Sequence, residues 1–71
     1  MNAREILGEQ VRKRREQLNL SQQDAAAKAG VLRKTLSNLE TGAGDPTIGS
    51  VLACAGALGC EVIIRRRPRP A

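Results

Sequence analysis

Apolar residues recur at helical spacing near the start of the chain. Leu7, Val11 and Leu18 keep one face of a helix, and Ile6 lies beside them. Asn2 and Glu5 have the spacing of a capping box, in which an N-cap side chain and the residue three positions later satisfy each other's backbone N–H groups. The pattern predicts a first helix from about Ala3 to Gln17, which Gly8 weakens slightly.

Two short helices are predicted next, with a glycine between them. Ser21 is a good N-cap for a helix from Gln22 to Ala29, and Gly30 tolerates the left-handed conformation that ends helices. Small side chains on its inner face would let a neighbouring helix approach closely; they are Ala25, Ala26 and Ala29. The following helix is predicted from about Arg33 to Thr41. Its expected core residues are Val31, Leu36 and Leu39.

A fourth helix is predicted after a loop over residues 42–46, which is rich in glycine and ends in proline. Thr47 is its N-cap, it runs to about Leu58, and Gly59 stops it. Its expected apolar stripe consists of Ile48, Val51, Leu52, Ala55 and Leu58.

One short strand is predicted at the end of the domain, because the run is rich in β-branched residues and outside any helical period. It consists of Glu61, Val62, Ile63, Ile64 and Arg65. A single strand cannot satisfy its own backbone groups, so the simplest partner is the same strand of a second copy, antiparallel about a two-fold axis. The alternative is a frayed tail that only resembles a strand.

Composition supports one small domain over residues 1–65, followed by a basic, proline-rich tail over residues 66–71 that we expect to be disordered. The 71 residues include no Phe, Tyr or Trp, so the core must consist of Leu, Ile, Val and Ala. These side chains bury less area than aromatic ones. We therefore expect part of the apolar surface to be buried between two copies.

The charge balance favours a polyanionic partner. Twelve Lys and Arg stand against seven Asp and Glu, which gives a net charge of +5. A merely soluble basic protein is the alternative. Without aromatic side chains there is no platform on which unpaired bases could stack, which argues against single-stranded nucleic acid.

Several other classes are disfavoured. Cys54 and Cys60 lie in an apolar stretch and the chain has no His, so we expect neither a metal site nor a disulfide framework. No nucleophile stands beside a base and no Gly-rich loop links a strand to a helix, so we expect neither an enzyme nor a cofactor. The first residues carry charges and no apolar run has transmembrane length, so the expected location is the cytoplasm, without a membrane.

The segment from Ser21 to Gly42 has the organisation of a helix-turn-helix, for which an ordinary helical hairpin is the alternative. The exposed face of its second helix can hydrogen-bond bases or phosphates; it consists of Arg33, Lys34, Ser37 and Asn38. An Arg side chain suits guanine and an Asn side chain suits adenine. The expected phosphate contacts are Gln22, Gln23 and Thr35, the two glutamines lying at a helix N-terminus.

The start of this second helix is poorly optimised for isolated stability. Arg33 and Lys34 oppose the helix dipole, and Leu32 cannot cap the helix with its side chain. A bound polyanion would offset both defects. Such a local conflict is typical of a functional site.

The run LNLSQQDAAAKAGVLRKTLSNLETG, from Leu18 to Gly42, resembles the XRE family of phage repressor and Cro-like helix-turn-helix domains. The resemblance extends from about Ile6 to Leu58. It implies an all-α, repressor-like DNA-binding domain of four to five helices. The continuation through residues 45–64 is similar to HipB-type antitoxins, in which a C-terminal strand pairs across a dimer.

The resemblance also implies roles for individual residues. Gln22 would contact a phosphate, and the residues facing the bases would be Leu32, Arg33, Lys34 and Asn38, with Ser37 near them. Leu32 could touch a thymine methyl group. Arg15 and Glu40 would form an internal ion pair. The remaining basic residues of the first helix are candidate phosphate neighbours: Arg12, Lys13 and Arg14.

Two functions follow as hypotheses. In the first, the chain is a homodimeric repressor that binds a palindromic operator in double-stranded DNA. In the second, it is an antitoxin that binds a toxin protein and regulates its own operon. One dimer could serve both functions.

Overall fold

A computed structural model describes residues 1–68, and the fold within them is entirely helical. The four helices are α1 (Ala3–Gln17), α2 (Gln22–Ala29), α3 (Arg33–Thr41) and α4 (Ile48–Ala57). The predicted all-α class is therefore confirmed. Residues 61–68 of the single chain form neither helix nor strand, so the predicted strand is not shown. The last three positions of the predicted tail, 69–71, lie outside the described residues.

The helix ends lie where the local sequence predicts them. Asn2 Oδ1 accepts from the backbone N–H of Glu5 at 2.9 Å, and the Asn2 backbone N–H donates to Glu5 Oε1 at 3.3 Å, which confirms the capping box. Ser21 Oγ accepts from the backbone N–H of Asp24 at 3.0 Å. Gly30 ends α2 in the left-handed conformation, with a φ of 72°. Local hydrogen bonding thus fixes where α1 and α2 begin and where α2 ends.

The core lies where α1, α2 and α4 meet around α3. α1 and α2 both pack on α3, and α2 also packs on α4. Aliphatic and small side chains build this core: Val11, Ala25, Ala26, Leu36, Leu39, Val51, Cys54 and Leu58. Ala25 and Ala26 are each only 2% exposed, so the prediction that α2 presents small side chains to its neighbours is confirmed.

Two sequence predictions about apolar faces need correction. Ile48 and Leu52 are 69% and 50% exposed, although the sequence predicts both on the apolar stripe of α4. α4 packs mainly on α2, and the side that carries Ile48 and Leu52 faces solvent. Ile6 and Leu18 on α1 are likewise exposed. A period of 3.6 residues identifies an apolar face, but the number of neighbouring elements decides how wide the buried part is.

None of the described helices is long and apolar enough to cross a membrane.

Candidate nucleic-acid interface

A three-residue turn sets the position of α3 against α2. After Gly30, the backbone N–H of Val31 donates to the carbonyl oxygen of Ala26 at 3.0 Å, which closes the end of α2. The half-buried Val31 packs on the core. Arg33 then begins α3, so residues 30–32 are the whole connection. A short turn anchored by a backbone bond and a core contact gives the two helices a defined mutual angle.

The outer surface of α3 carries the side chains predicted to meet DNA. Arg33 and Lys34 are exposed and Ser37 is half-buried. With about 100° of rotation per residue, these positions fall within one third of the helix circumference. The opposite side is closed, since Leu36 and Leu39 are 1% and 3% exposed. α3 is therefore held from behind and presents a polar, basic face to solvent.

Asn38 and Thr35 follow Lys34 around one side of this face, and both are half-buried. Asn38 turns toward the loop after α3: a Cβ placed on Gly44 would lie 3.6 Å from Asn38 Nδ2. The same side chain lines a small cavity of about 30 Å³ with Arg4 and Leu7. The loop after α3 thus partly shields Asn38.

Leu32 immediately precedes this face and is 75% exposed. It occupies the N-cap position of α3 and makes no side-chain capping bond. No acidic residue lies in the first turn, where Arg33 and Lys34 face the positive end of the helix dipole. The predicted defect is present in the structure, and it concentrates positive charge and unsatisfied N–H donors at one end of α3.

Behind the face, Arg15 of α1 forms a two-pronged ion pair with Glu40 of α3. Arg15 Nε donates to Glu40 Oε2 at 2.7 Å, and Arg15 Nη2 donates to Oε1 at 3.0 Å. Arg15 Nη1 also donates to the carbonyl oxygen of Leu20 at 2.8 Å. The structure therefore brings together the two residues that the family resemblance pairs, and it joins them to the start of α2.

The pair is strongly buried. The Arg15 and Glu40 side chains are 13% and 1% exposed. The hydrogen bond to Glu40 raises the pKa of Arg15 further above its ordinary value, so the guanidinium stays charged at any physiological pH. Within residues 1–68, no buried side-chain nitrogen or oxygen lacks a hydrogen-bond partner. A fully satisfied pair of this kind fixes the relative positions of α1 and α3.

Gln22 extends this network to α2. Its Nε2 donates to Glu40 Oε1 at 3.1 Å, and the side chain is half-buried. An amide nitrogen carries two hydrogens, so one donor remains for another partner. Gln23 is exposed beside it in the first turn of α2. The two glutamines predicted to contact phosphate therefore differ, since Gln22 is held by Glu40 and Gln23 is exposed to solvent.

The structure gives two candidate phosphate neighbours on α1 other contacts. Arg14 Nε donates to the carbonyl oxygen of Leu58 at 3.0 Å, which ties α1 to the end of α4. Lys13 Nζ lies 2.9 Å from Glu9 Oε1 one turn away. The hydrogen bond from Lys13 lowers the pKa of Glu9. These contacts are typical of a structural link and of a solvated helix surface.

Sequence reasoning missed two residues that help to position α3. A Cβ on Gly8 would lie 2.7 Å from the carbonyl oxygen of Glu40 and closer still to that of Leu39, so only glycine permits this approach of α1 to α3. Arg4 Nη1 donates to the carbonyl oxygen of Gly44 at 2.7 Å. The signal for Gly8 was a glycine inside an otherwise regular helix, which usually has a packing reason.

A family model described as helix-turn-helix (HTH_3, the XRE type) matches residues 11–63, about three quarters of the chain. No curated protein matches the chain. The α2–turn–α3 unit and its exposed face define a helix-turn-helix DNA-binding protein. The chain belongs to the XRE family of helix-turn-helix proteins, and it is a DNA-binding transcriptional regulator.

Proposed function

We propose that the chain is a repressor that acts as a homodimer on a palindromic operator, with α3 in the major groove of each half-site. The observation that carries this proposal is the exposed face of Arg33, Lys34 and Ser37 on a helix fixed from behind by Leu36, Leu39 and the buried Arg15–Glu40 pair. A rigid helix with a polar outer face matches the width of the groove. We propose a binding role without catalysis.

In this proposal the side chains divide into two groups. Base contacts come from Leu32, Arg33, Lys34, Ser37 and Asn38, and phosphate contacts from Gln22, Gln23 and Thr35. Arg33 would donate two hydrogen bonds to guanine, and the exposed Leu32 would contact a thymine methyl group. The remaining N–H of Gln22 would donate to a phosphate while the first stays with Glu40.

Selection of bound duplexes from a random pool tests DNA recognition, and substitutions then separate the two groups of contacts. Arg33→Ala should weaken binding to the selected site by about 1–3 kcal/mol and relax sequence preference at one position. Gln22→Ala should weaken binding to selected and scrambled duplexes alike. Lys28→Ala, which removes one exposed charge from the far end of α2, is the matched control. Unchanged specificity in Arg33→Ala would refute the assignment of the recognition face.

The exposure of apolar side chains near the C-terminal end of the single chain supports the homodimer proposal. Ile63 and Ile64 are 61% and 98% exposed, and β-branched residues of this kind pair well across antiparallel strands. Pairing of residues 61–65 about a two-fold axis would bury them. Two α3 helices related by this axis would meet half-sites about 34 Å apart.

Sedimentation of the wild type and of Ile64→Asp tests the dimer. We expect the wild type to be dimeric and the variant to be a folded monomer, because Ile64 makes almost no contact within the chain. Asp24→Ala changes the charge at an exposed position of α2 by the same amount, and it is the control for an effect of net charge alone on the oligomeric state. A wild type that is monomeric at micromolar concentration and that protects an asymmetric site would exclude the dimer.

An antitoxin role is the second proposal, favoured by the charge-free α4. Its exposed side carries Ile48 and Leu52, and none of its ten residues is charged. An exposed apolar helix side suits a protein partner. A kinase-like gene directly downstream, whose product co-purifies with the wild type and not with Leu52→Asp, would support it. An isolated gene would count against it.

A further inference from the structure

The positive charge of the chain is concentrated at its end. The last seven residues hold four of the twelve Lys and Arg and no acidic residue. The preceding 64 residues hold the other eight, against all seven Asp and Glu, so the helical part carries a net charge of only +1. The long-range attraction of a regulator for DNA depends on this net positive charge. The helices alone therefore contribute little of it.

The structure gives the point at which this charged segment leaves the helices. Val62 and Ile63 line a groove of about 370 Å³ together with Leu7, Val11 and Leu58. Ile64 is 98% exposed, and Arg65, Arg66 and Arg67 are exposed after it. Residues 62 and 63 thus lie beside α1 and α4, and the chain is solvent-exposed from residue 64 onward.

The three exposed arginines are available for a ligand. The ion pairs of residues 1–68 involve Arg4, Arg12, Lys13 and Arg15, and none involves residues 65–67. Pro68 follows them, which biases Arg67 toward an extended backbone. At about 3.3 Å per residue, the three residues reach about 10 Å from residue 64.

We propose that Arg65, Arg66 and Arg67 form an arm that binds the phosphate backbone of duplex DNA beside the site that α3 contacts. The proposal rests on the proposed operator binding and adds a second contact to it. Guanidinium groups bind phosphate oxygens through two parallel hydrogen bonds, and each phosphate that is neutralised releases counterions. The arm supplies sequence-independent affinity, while α3 reads the bases. In a dimer paired through antiparallel strands, one arm leaves from each end of the ribbon.

The salt dependence of binding tests the arm. The dissociation constant of the full chain is measured between about 50 and 200 mM NaCl, where phosphate contacts make affinity fall steeply, for a selected duplex and a scrambled one. In R65Q/R66Q/R67Q the slope of log K against log salt should fall by about 3 per arm. Affinity at about 0.1 M salt should fall on the order of 100-fold on both duplexes. R65K/R66K/R67K should retain most of the slope.

The outcomes separate the arm from the proposed function. An unchanged slope in the glutamine variant, with recognition of the selected duplex intact, overturns the arm alone. An arm-dependent slope without any preferred sequence supports the arm and overturns operator recognition. A wild type without affinity for any duplex overturns both. Circular dichroism of the variants should match the wild type, because residues 65–67 lie outside the helices.

Discussion

The role of Gly8 is to permit close packing of α1 against the backbone of α3. It stands in the middle of α1, where glycine costs helix stability relative to alanine. The carbonyl oxygens of Leu39 and Glu40 occupy the space that any side chain would need. The glycine therefore lets α1 approach the last turn of α3 closely enough for Arg15 to reach Glu40.

Gly8→Ala should destabilise the fold by about 1–3 kcal/mol, because the added methyl group meets backbone rather than a flexible side chain. Urea denaturation measures the change. Gly56→Ala is the matched control, since a Cβ at Gly56 of α4 meets nothing within 4 Å. It should stabilise the protein by about 0.5–1 kcal/mol through helix propensity. Equal effects of the two substitutions would refute the close approach.

Arg15 and Glu40 should show the asymmetry of a buried ion pair. Arg15→Met leaves the 1%-exposed Glu40 carboxylate without its partner and should cost about 3–5 kcal/mol. Arg15→Met combined with Glu40→Gln removes the stranded charge and should recover part of this loss. Thermal unfolding of the wild type, both single variants and the double variant measures the coupling. A double variant as unstable as the sum of the single variants would show that the two residues are not coupled.

At the scale of the element, α3 has a well-formed C-terminal cap but no side-chain cap at its N-terminus. Its last turn ends at Gly42, which has a φ of 75°, while its N-cap is an exposed leucine without a capping bond. Ser21 and Thr47 cap α2 and α4 by side-chain bonds to the backbone N–H groups of Asp24 and Ser50. Among the four helices within residues 1–68, the helix proposed to enter DNA is thus the one whose N-cap side chain accepts no hydrogen bond. A phosphate or a base edge could supply the missing acceptor.

Leu32→Ser should therefore raise stability while it lowers DNA affinity. The hydroxyl can cap α3 and should add about 0.5–1 kcal/mol, and little packing is lost because Leu32 is 75% exposed. Leu32→Ala, which removes the same apolar contact without adding a cap, separates the two effects. Thermal unfolding and binding to the selected duplex are the two measurements. Tighter binding by Leu32→Ser would show that Leu32 does not contact the DNA.

The sequence predicts where the helices begin and end better than it predicts which of their side chains are buried, for a physical reason. Helix ends depend on residues three or four positions apart, and Asn2, Ser21 and Gly30 carry that information locally. The exposure of Ile48 and the inward turn of Asn38 depend on contacts between distant segments. The strand predicted at 61–65 is not shown in the single chain, and its pairing with a second copy stays a proposal.

At the scale of the whole molecule, the core of a chain without aromatic residues includes a cysteine thiol. Cys54 is 2% exposed and packs with Leu36 and Leu58, whereas Cys60 is exposed after α4. Burial raises the pKa of the Cys54 thiol above its ordinary value of 9.0. The two cysteines therefore report on different states: Cys60 on the native protein and Cys54 on its unfolding.

A thiol reagent at pH 8 should modify Cys60 rapidly and Cys54 only at the rate at which the core opens. Because burial raises the pKa of Cys54 in the folded state, the protonated thiol favours the native state. This contribution is fully present below 9.0, the ordinary pKa of the thiol, and is lost as the pH rises through the higher pKa of the folded state. Cys54→Ala should remove that part of the alkaline loss of stability, while Cys60→Ala should leave it unchanged. Urea titrations at pH 7 and pH 10 measure the difference. Equal reaction rates of the two thiols in the native protein would contradict a core closed around Cys54.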